Sequence, residues 1–354
     1  MLEKERHEVE VDCRYFKGDE PCIYFKKDGS RCKCEHFDKV SHRILIIKLG
    51  ELGDVIRTTP VLHPLKKNYP NSYITWLTKT PKFLPSIVDE KLKFNHKNVL
   101  RLQGQEFDLL LNFDKEKESC ALANLINAKV KKGFGLKHGK AHPIDEDALF
   151  KFKIGLDDEF NLQSKKSYPE QVFEIAGLKY NNEKYIFDND YKKGKKLIGF
   201  NTGCGTRWST RLWPEQNWID LAKMLIKDGY SVILLGGETE HAKNTRIAKE
   251  SGALYLGYYP LKTFVALINF CDTIVTSVTM ALHVAIALEK NIILFNNVFN
   301  KNEFELYGLG KILEPDVDCL GCYRTECSKP NCMARITPDI VFSAIEEIHK
   351  QKGL

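Results

Sequence analysis

Two aspartates follow apolar stretches that are typical of buried strands. Asp54 ends the turn GELGD (residues 50–54) after RILIIKL (43–49), and Asp114 ends LLLNFD (109–114). Side chains just beyond the carboxyl ends of strands point into the ligand-binding cleft of α/β proteins. A carboxylate at the position of Asp114 could accept a proton from a hydroxyl group there. For Asp54 and Asp114 alike, the competing interpretation is an N-cap of the helix that follows.

Three later loops carry residue types that suit a nucleoside diphosphate. The loop NTGCGTRWSTRLWP (201–214) offers backbone N–H groups for phosphate, and its two arginines match a diphosphate charge that no metal ion neutralises. In LLGGETE (234–240) a glutamate follows two glycines, a pattern suited to ribose hydroxyls. The segment TSVTMALH (276–283) brings hydroxyls to a strand tip. The candidate donor-binding residues are Thr202, Gly203, Arg207, Arg211, Glu238, Thr279, Met280, Ala281 and His283.

These loops also have structural interpretations. Arg207 and Arg211 could be solvated side chains on a surface loop. A single histidine on an apolar helix, such as His283, is more often a core residue than a ligand-binding one.

Eleven cysteines are distributed unevenly, with two groups of four. In a reducing compartment such groups indicate metal sites before disulfides. The late group has C-x2-C-x4-C-x4-C spacing, in which four thiolates fit tetrahedral zinc or iron in a structural role. The early group is looser, and a second metal knuckle, a mixed site and free thiols all stay open for it. The late group is Cys319, Cys322, Cys327 and Cys332, and the early group is Cys13, Cys22, Cys32 and Cys34.

Strands alternate with helices along the chain, a pattern that predicts parallel sheets. Predicted strands include SYITWLT (72–78), NVLRL (98–102) and FDLLLNF (107–113), and the pattern repeats after residue 196. The fold class is therefore α/β, with two doubly wound Rossmann-like domains that face a cleft. A cysteine-rich segment (1–40) precedes the first domain (41–187), and a glycine-bearing linker (189–196) leads to the second domain (195–350), which contains the cysteine loop 319–332.

Size and composition exclude several classes of protein. The chain has 354 residues with 43% hydrophobic and 11% aromatic residues, values too high for a disordered protein. The net charge of +6 comes from scattered lysines and does not predict a nucleic-acid partner. No apolar run reaches the roughly 18 residues of a membrane span, and the charged N-terminus is unlike a signal peptide. We therefore expect a cytoplasmic protein, and peripheral contact with the cytoplasmic face of an inner membrane stays open.

The order and spacing of these motifs, from about Arg43 to Ile348, resemble those of glycosyltransferase family 9, the ADP-heptose:lipopolysaccharide heptosyltransferases. RILIIKLGELGDVIRTTPVLHPLKKNYPNSYITWL resembles the family's opening strand, turn and helix, and LIGFNTGCGTRWSTRLWPEQNWIDLA with VILLGGETE resembles its nucleotide-side motifs. The resemblance implies a GT-B fold, in which the first domain takes the acceptor side and the second binds the nucleotide sugar. It also implies an inverting transferase that needs no cofactor for its chemistry. The implied donor is ADP-heptose, and the implied acceptor is lipopolysaccharide core, another glycan or a protein.

The resemblance also implies roles for individual residues. Asp54 falls on the family's catalytic aspartate, Arg211 on a phosphate-binding lysine and Glu238 on the ribose-binding acid. Val278 stands where the family has an aspartate that helps to hold the donor sugar, which leaves the exact donor open.

The segments NFDKE (112–116) and TSVTMALH, together with the late cysteines, resemble a side branch, the bacterial autotransporter heptosyltransferases that modify protein serines. That branch uses an aspartate at the strand end as base and carries a four-cysteine iron finger. By this resemblance Asp114 is slightly favoured as base, with Asp54 its rival. Two alternative functions stay open: a sugar-nucleotide epimerase or hydrolase on the same fold, or an inactive protein that binds nucleotide and metal. The sequence indicates neither the metal nor the oligomeric state.

Overall fold

The computed structural model describes residues 9–188, 197–205 and 207–353. It contains a sheet of six strands within residues 42–143 and a sheet of five strands within residues 197–313. The predicted linker 189–196 lies outside the described residues. In the described ranges, no helix is long and apolar enough to cross a bilayer.

The first sheet is mostly parallel. It consists of β1 (His42–Ile47), β2 (Ser72–Thr78), β3 (Glu90–Lys93), β4 (Glu106–Asn112), β5 (Asn127–Lys137) and β6 (Lys140–Pro143). The strand order is β3-β2-β1-β4-β5-β6, and the β5–β6 pair is antiparallel. Ile44 and Ile46 of β1 belong to one buried cluster, and Leu45 and Ile47 belong to another. A strand that is covered on both faces needs the continuous apolar run found in the sequence.

The second sheet is parallel throughout. It consists of β7 (Leu197–Asn201), β8 (Ser231–Leu235), β9 (Thr273–Ser277), β10 (Asn291–Phe295) and β11 (Gly310–Leu313), in the order β11-β10-β9-β7-β8. Both of its faces are covered by buried apolar clusters. The two sheets confirm the predicted pair of doubly wound units.

The described residues also form thirteen α-helices. Those before the second sheet are α1 (Ile23–Asp28), α2 (Leu52–Ile56), α3 (Leu62–Asn68), α4 (His96–Gln103), α5 (Lys117–Leu125), α6 (Leu149–Lys153), α7 (Asp158–Gln163) and α8 (Tyr168–Ile175). The remaining helices are α9 (Glu215–Lys227), α10 (His241–Ser251), α11 (Leu261–Phe270), α12 (Met280–Ala287) and α13 (Pro338–Lys352).

One predicted strand is wrong. The segment NVLRL lies within α4, and its neighbour Asn95 caps that helix by accepting the backbone N–H of Asn98 at 3.0 Å. Leu102 is the one buried residue of α4. A short apolar run does not distinguish a strand from one face of a helix, and here the capping asparagine favours the helix.

Residues 9–40 form a small head on the first domain. An isolated bridge pairs Cys13 with Lys39. The Arg14 guanidinium donates to Asp38 at 2.7 Å, to Asp89, and to the backbone carbonyl of Ser72 at 3.2 Å. The head therefore lies against the amino ends of β1 and β2, opposite the carboxyl ends where ligands bind in such folds.

Helix α2 of the first domain packs against α12 of the second. Leu52 and Ile56 share a buried cluster with Leu282 and Ala285. Gly53 is required at the closest approach, because a Cβ atom there would lie 2.8 Å from Cδ2 of His283. This contact fixes the turn after β1 against the second domain.

Gly53→Ala should therefore destabilise the protein, although alanine has the higher helix propensity. We expect a loss of about 1–3 kcal/mol in the free energy of unfolding, because the added methyl group overpacks the contact with His283. Gly104→Ala is the matched control, since its Cβ would meet the Arg101 carbonyl oxygen at an ordinary 3.7 Å. Urea unfolding measures both changes, and equal stabilities for the two variants would contradict the packing argument.

Candidate active site

Both sheets have a point where the strand order reverses. In the first sheet β1 lies between β2 and β4, and in the second β7 lies between β8 and β9. Ligands of doubly wound sheets bind beyond the carboxyl ends of the strands at such points. The loops that follow β1 and β4, and those that follow β7 and β9, are therefore the loops that define a candidate site.

A buried ion pair lies at the point in the first sheet where the strand order reverses. Lys48 and Asp114 are each 6% exposed, and the Lys48 ammonium donates to one carboxylate oxygen of Asp114. The other oxygen accepts the backbone N–H groups of Leu49 and Gly50, the second at 3.3 Å. Burial alone would lower the pKa of Lys48, but nearby negative charge, including that of Asp114 and Asp54, raises it above its usual value. Since both of its oxygens are bound, Asp114 holds the turn after β1.

Asp54 is the more accessible of the two aspartates. Its side chain is 33% exposed, against 7% for the side chain of Asp114. The Arg57 guanidinium lies 2.7 Å from one of its oxygens. Burial would raise the pKa of Asp54, but the positive charges of Arg57 and Lys48 hold that pKa well below its usual range. Asp54 is therefore ionised at neutral pH, and its partly exposed carboxylate is accessible to a hydroxyl group.

Neither aspartate is an N-cap. Helix α2 has Glu51 at its N-cap, so Asp54 lies inside the helix. Helix α5 has Glu116 at its N-cap, two residues beyond Asp114. Both capping interpretations are wrong, because the carboxylate of Asp54 is engaged by Arg57 and that of Asp114 by Lys48.

Cations surround the Tyr168 ring beside Asp54. The guanidinium carbon of Arg57 lies 3.5 Å from the ring centre, and the Lys151 ammonium lies 4.8 Å from it. Lys151 also donates to Gln171 at 2.7 Å. Burial lowers the pKa of Lys151 to about 7, and the charges of Arg57 and Lys115 add to this effect. This arrangement favours an anionic ligand, whose charge would offset the crowded cations.

The second domain has a cavity of about 270 Å³ at its reversal point. Four segments border it: the loops after β7 and β8, and the starts of α11 and α12. Gly203 lies close to Glu240, since a Cβ atom there would be 2.5 Å from the carboxyl carbon of that side chain. Of the predicted residues, Gly203, Thr279, Met280 and Ala281 line the cavity. Lining residues that the sequence interpretation missed include Asn201, Gly236, Gly237, Thr239, Glu240, Tyr259, Leu261 and Phe264.

Five predicted donor residues lie outside this lining, and Glu238 and Thr202 are two of them. Glu238 is exposed, whereas Glu240, two residues later, lines the cavity. The Glu240 carboxylate accepts the Gly237 N–H and the Thr239 hydroxyl, each at 2.9 Å. Thr202 is buried, and its hydroxyl donates to Asn244 at 2.6 Å. Within the GGETE turn, Glu240 is therefore the glutamate that lines the cavity, and ribose binding by Glu238 stays a prediction.

The Arg211 side chain connects two of the loops that border the cavity. One terminal nitrogen of its guanidinium donates to the Val278 carbonyl and the other to the Cys204 carbonyl, the latter at 2.6 Å. Burial lowers the pKa of Arg211 to about 10, so the group stays charged at neutral pH. Its Nε is buried and has no partner among the residues that the structure describes. Arg207 is exposed, and its guanidinium carbon lies 5.5 Å from the Trp208 ring centre.

His283 lies between the domains rather than in the cavity lining. It is 6% exposed, packs against Gly53, and its Nδ1 has no partner within the described ranges. Burial, with the nearby charge of Arg57, lowers the pKa of His283 to about 3. A neutral, buried histidine at a domain contact agrees with the core interpretation.

The whole arrangement matches a known family. The family model described as glycosyltransferase family 9 (heptosyltransferase) matches residues 96–308, more than half of the chain. The chain belongs to glycosyltransferase family 9. The resemblance found in the sequence is confirmed, and the protein is a glycosyltransferase. Membership of this family makes an epimerase, a hydrolase or an inactive protein the weaker explanations.

Several relatives illustrate the match. The chain is 23% identical over 288 residues to lipopolysaccharide heptosyltransferase 2 of Salmonella typhimurium, covering 71% of this chain and 81% of that protein. The ADP-heptose lipopolysaccharide heptosyltransferase II of Escherichia coli aligns with a TM-score of 0.65 at 18% identity, covering 88% and 100% of the two chains. The iron-containing dodecameric glycosyltransferase TibC of E. coli aligns with a TM-score of 0.56 at 14% identity, covering 87% and 78%. The predicted GT-B fold is confirmed.

The late cysteines of this family 9 chain lie around one cavity. Cys319, Cys322, Cys327 and Cys332 all line a space of about 450 Å³. The Asn297 side-chain amide donates to the Cys332 sulfur at 3.3 Å. As the side chains lie, no three Cys, His, Asp or Glu residues in the described parts of the chain form a ready-made metal site. The chemistry and grouping of these thiols fit a thiophilic metal. Because the side chains of the described residues do not already form a site, the metal stays a prediction.

Asp114→Asn should destabilise the protein strongly, because the buried Lys48 ammonium loses the carboxylate that it is bonded to and keeps only the more distant charge of Asp54. We expect a loss of about 3–5 kcal/mol in the free energy of unfolding. The double variant Lys48→Met/Asp114→Asn should recover much of this loss, since no unpaired charge then remains. Urea unfolding of both variants provides the measurement. If the single substitution Asp114→Asn left the protein as stable as the parent, the ion pair would not be what holds the turn.

His283→Gln should flatten the dependence of stability on pH in the acid range. The folded-state pKa of His283 is lowered to about 3 from an ordinary 6.5, so the unfolded chain binds the proton more readily between these values. The resulting stability is fully present above the unfolded pKa and is lost as pH falls toward the folded pKa. The slope approaches about 1.4 kcal/mol per pH unit. Urea unfolding between neutral and mildly acid pH tests this, and identical slopes for variant and parent would refute it.

Proposed function

We propose that the protein transfers a heptosyl group from ADP-heptose to an acceptor hydroxyl, with inversion at the anomeric carbon and with Asp54 as the base. The observation that carries this proposal is the contrast between two aspartates. Asp54 is ionised and one-third exposed, whereas both oxygens of Asp114 are bound by Lys48 and by backbone N–H groups. This contrast reverses the sequence-based preference for Asp114.

The reaction is a single displacement. The acceptor oxygen bonds to the anomeric carbon while the bond from that carbon to the diphosphate oxygen breaks, and the bonding electrons leave with ADP. Asp54 takes the hydroxyl proton. Attack opposite the leaving diphosphate inverts the anomeric carbon. Negative charge on the departing diphosphate is stabilised by the backbone N–H groups of the loop after β7, by Arg207 and by the positive charge of the nearby Arg211 guanidinium.

The cavity of the second domain suits the nucleoside of this donor. Its size, about 270 Å³, accommodates a small ring system, and the Tyr259 and Phe264 side chains supply apolar walls. A carboxylate of the GGETE turn binds the ribose hydroxyls, either the exposed Glu238 or Glu240, which lines the cavity. Val278 replaces the acid that the family resemblance expects near the sugar, so recognition of the heptose depends on backbone and hydroxyl groups such as Thr279.

The cations of the first domain suit an anionic acceptor. Arg57 and Lys151 flank Tyr168 beside Asp54, and Lys115 lies near them. A glycan of the lipopolysaccharide core is such an acceptor, and a protein acceptor is the second candidate. A membrane-borne acceptor would bring this enzyme to the cytoplasmic face of the inner membrane.

The late cysteine loop is proposed to hold structural zinc or iron. Its four thiols line one cavity, and the name of the relative TibC records iron. Tetrahedral coordination by four cysteines leaves no open position, so this ion braces the second domain and takes no part in transfer.

Asp54→Asn tests the assignment of the base. We expect kcat to fall by about 10²–10⁴, because general base catalysis is lost while the fold is kept. The assay measures ADP released from ADP-heptose, with and without lipid and protein acceptor fractions. Glu118→Gln removes an exposed carboxylate of the same domain and should leave kcat unchanged.

Two outcomes would contradict this assignment. Full activity in folded Asp54→Asn would exclude Asp54 as base. Loss of activity in Asp114→Asn under conditions where that variant is still folded, with Asp54→Asn active, would return the role to Asp114. Comparison of ADP-heptose with other ADP-sugars and with UDP- and GDP-sugars tests the donor, and a higher kcat/KM for a UDP- or GDP-sugar would overturn it.

A further inference from the structure

The head has a defined fold without a core of its own. Every residue from 9 to 39 is exposed or half-exposed. The segment nevertheless forms α1, the Cys13–Lys39 bridge and a stack of the Tyr24 and His36 rings with centroids 3.8 Å apart. A segment this small rarely holds one conformation by apolar burial, and disulfides or a bound metal usually supply the missing stability. The sulfurs of the head are therefore its obvious source of stability.

All four early cysteines line one space. Cys13, Cys22, Cys32 and Cys34 come from three separate parts of the head, yet each of them borders the same cavity of about 270 Å³. His36 also lines it, as do the rings of Tyr15, Tyr24, Phe25 and Phe37. A cavity with several sulfur ligands in its lining favours a thiophilic ion.

The backbone between Cys32 and Cys34 has a left-handed residue. Lys33, between them, has a left-handed φ of 67°, which is uncommon for a residue with a side chain. Tyr323, directly after Cys322 of the late group, has a φ of 50°. Thus each cysteine group contains a left-handed residue immediately after a cysteine. Such a turn costs roughly 1–2 kcal/mol, which a bond to metal can offset.

Hydrogen-bond donors and positive charges also lie around the sulfurs of the head. The Cys22 sulfur accepts the Phe25 backbone N–H at 3.4 Å. Arg31 and Lys33 line the same cavity, and their positive charges oppose the net negative charge of a divalent ion with four thiolates. Hydrogen bonds and positive charge of this kind are what metal-bound sulfur requires.

We propose that the head binds one thiophilic divalent cation, zinc or ferrous iron, through Cys13, Cys22, Cys32 and Cys34, and that this ion holds the head together. As their side chains lie in the described part of the chain, these thiols do not form a closed site. Binding turns the sulfurs into the cavity that they already line. The inference does not depend on the transferase reaction.

The position of the head predicts what this ion does. Arg14 ties the head to Asp89 and to the backbone of Ser72, at the amino ends of the strands. Asp54 and the donor cavity lie at the carboxyl ends. The ion therefore stabilises the first domain from the edge opposite the cleft, without touching substrate.

Metal content of the whole protein tests the proposal. Elemental analysis of Cys22→Ser/Cys32→Ser should give about one equivalent less metal than the parent. The double variant Cys319→Ser/Cys322→Ser should keep that equivalent, and Cys271→Ser, which removes a cysteine buried in the second domain, should lose none. The head variant should unfold at a lower temperature, with kcat of its folded fraction unchanged. Metal content equal to that of the parent would overturn the proposal.

Alkylation of the parent protein tests the same site without any substitution. Under reducing conditions, iodoacetamide followed by peptide mapping should leave the four head cysteines unmodified, although Cys32 is exposed. Prior treatment with a chelator should make all four reactive. Rapid modification of Cys32 before chelation would refute the site. If the cysteines of a metal-free sample are protected until reductant is added, they form disulfides. That result would also refute the metal site.

Discussion

The ion pair between Lys48 and Asp114 is the constraint on which the active site depends. The two residues follow adjacent parallel strands, β1 and β4, at the point where the strand order reverses. One carboxylate neutralises the buried ammonium and also binds two backbone N–H groups of the next turn. A buried pair of this kind contributes little net stability compared with apolar residues, but it permits essentially one geometry. That geometry sets where α2 begins, and hence where Asp54 stands.

The turn after β1 also leads into the helix that contacts the second domain. Helix α2 meets α12 without a side chain at Gly53, so the ring of His283 can lie against the backbone. Asp54 is thereby held at the boundary between a domain rich in cations and a domain with a donor cavity. Arg57 pairs with Asp54 and also covers Tyr168, which keeps the carboxylate ionised and oriented. In the proposed reaction, the ionised carboxylate takes the hydroxyl proton and fixed positive charges stabilise the departing diphosphate.

Much of this could be predicted from sequence, and the failures have physical causes. The apolar runs predicted both sheets, because buried parallel strands need side chains of that type on both faces. The prediction of a strand at NVLRL was wrong, because a segment of five mixed apolar and polar residues fits one face of a helix as well as it fits a strand. The structural role of Asp114 could not be predicted, since its partner Lys48 is 66 residues away in sequence. Glu240 was missed because either glutamate of the short GGETE turn could face the cavity.

Arg211 and Val278, the two departures from the family pattern on the donor side, are linked in the structure. Family resemblance expects a lysine where this chain has Arg211, and an aspartate where it has Val278. A lysine offers a single charged point, but the guanidinium fork binds two acceptors at once. In this chain the fork holds the carbonyls of Val278 and Cys204, so it joins the loops after β9 and β7 directly. Without the aspartate, these hydrogen bonds to backbone carbonyls keep the loop in place, and the guanidinium keeps its positive charge beside the loop after β7. On the proposed function, the change from an acidic to an apolar residue would alter how the sugar is recognised and would leave this charge near the diphosphate.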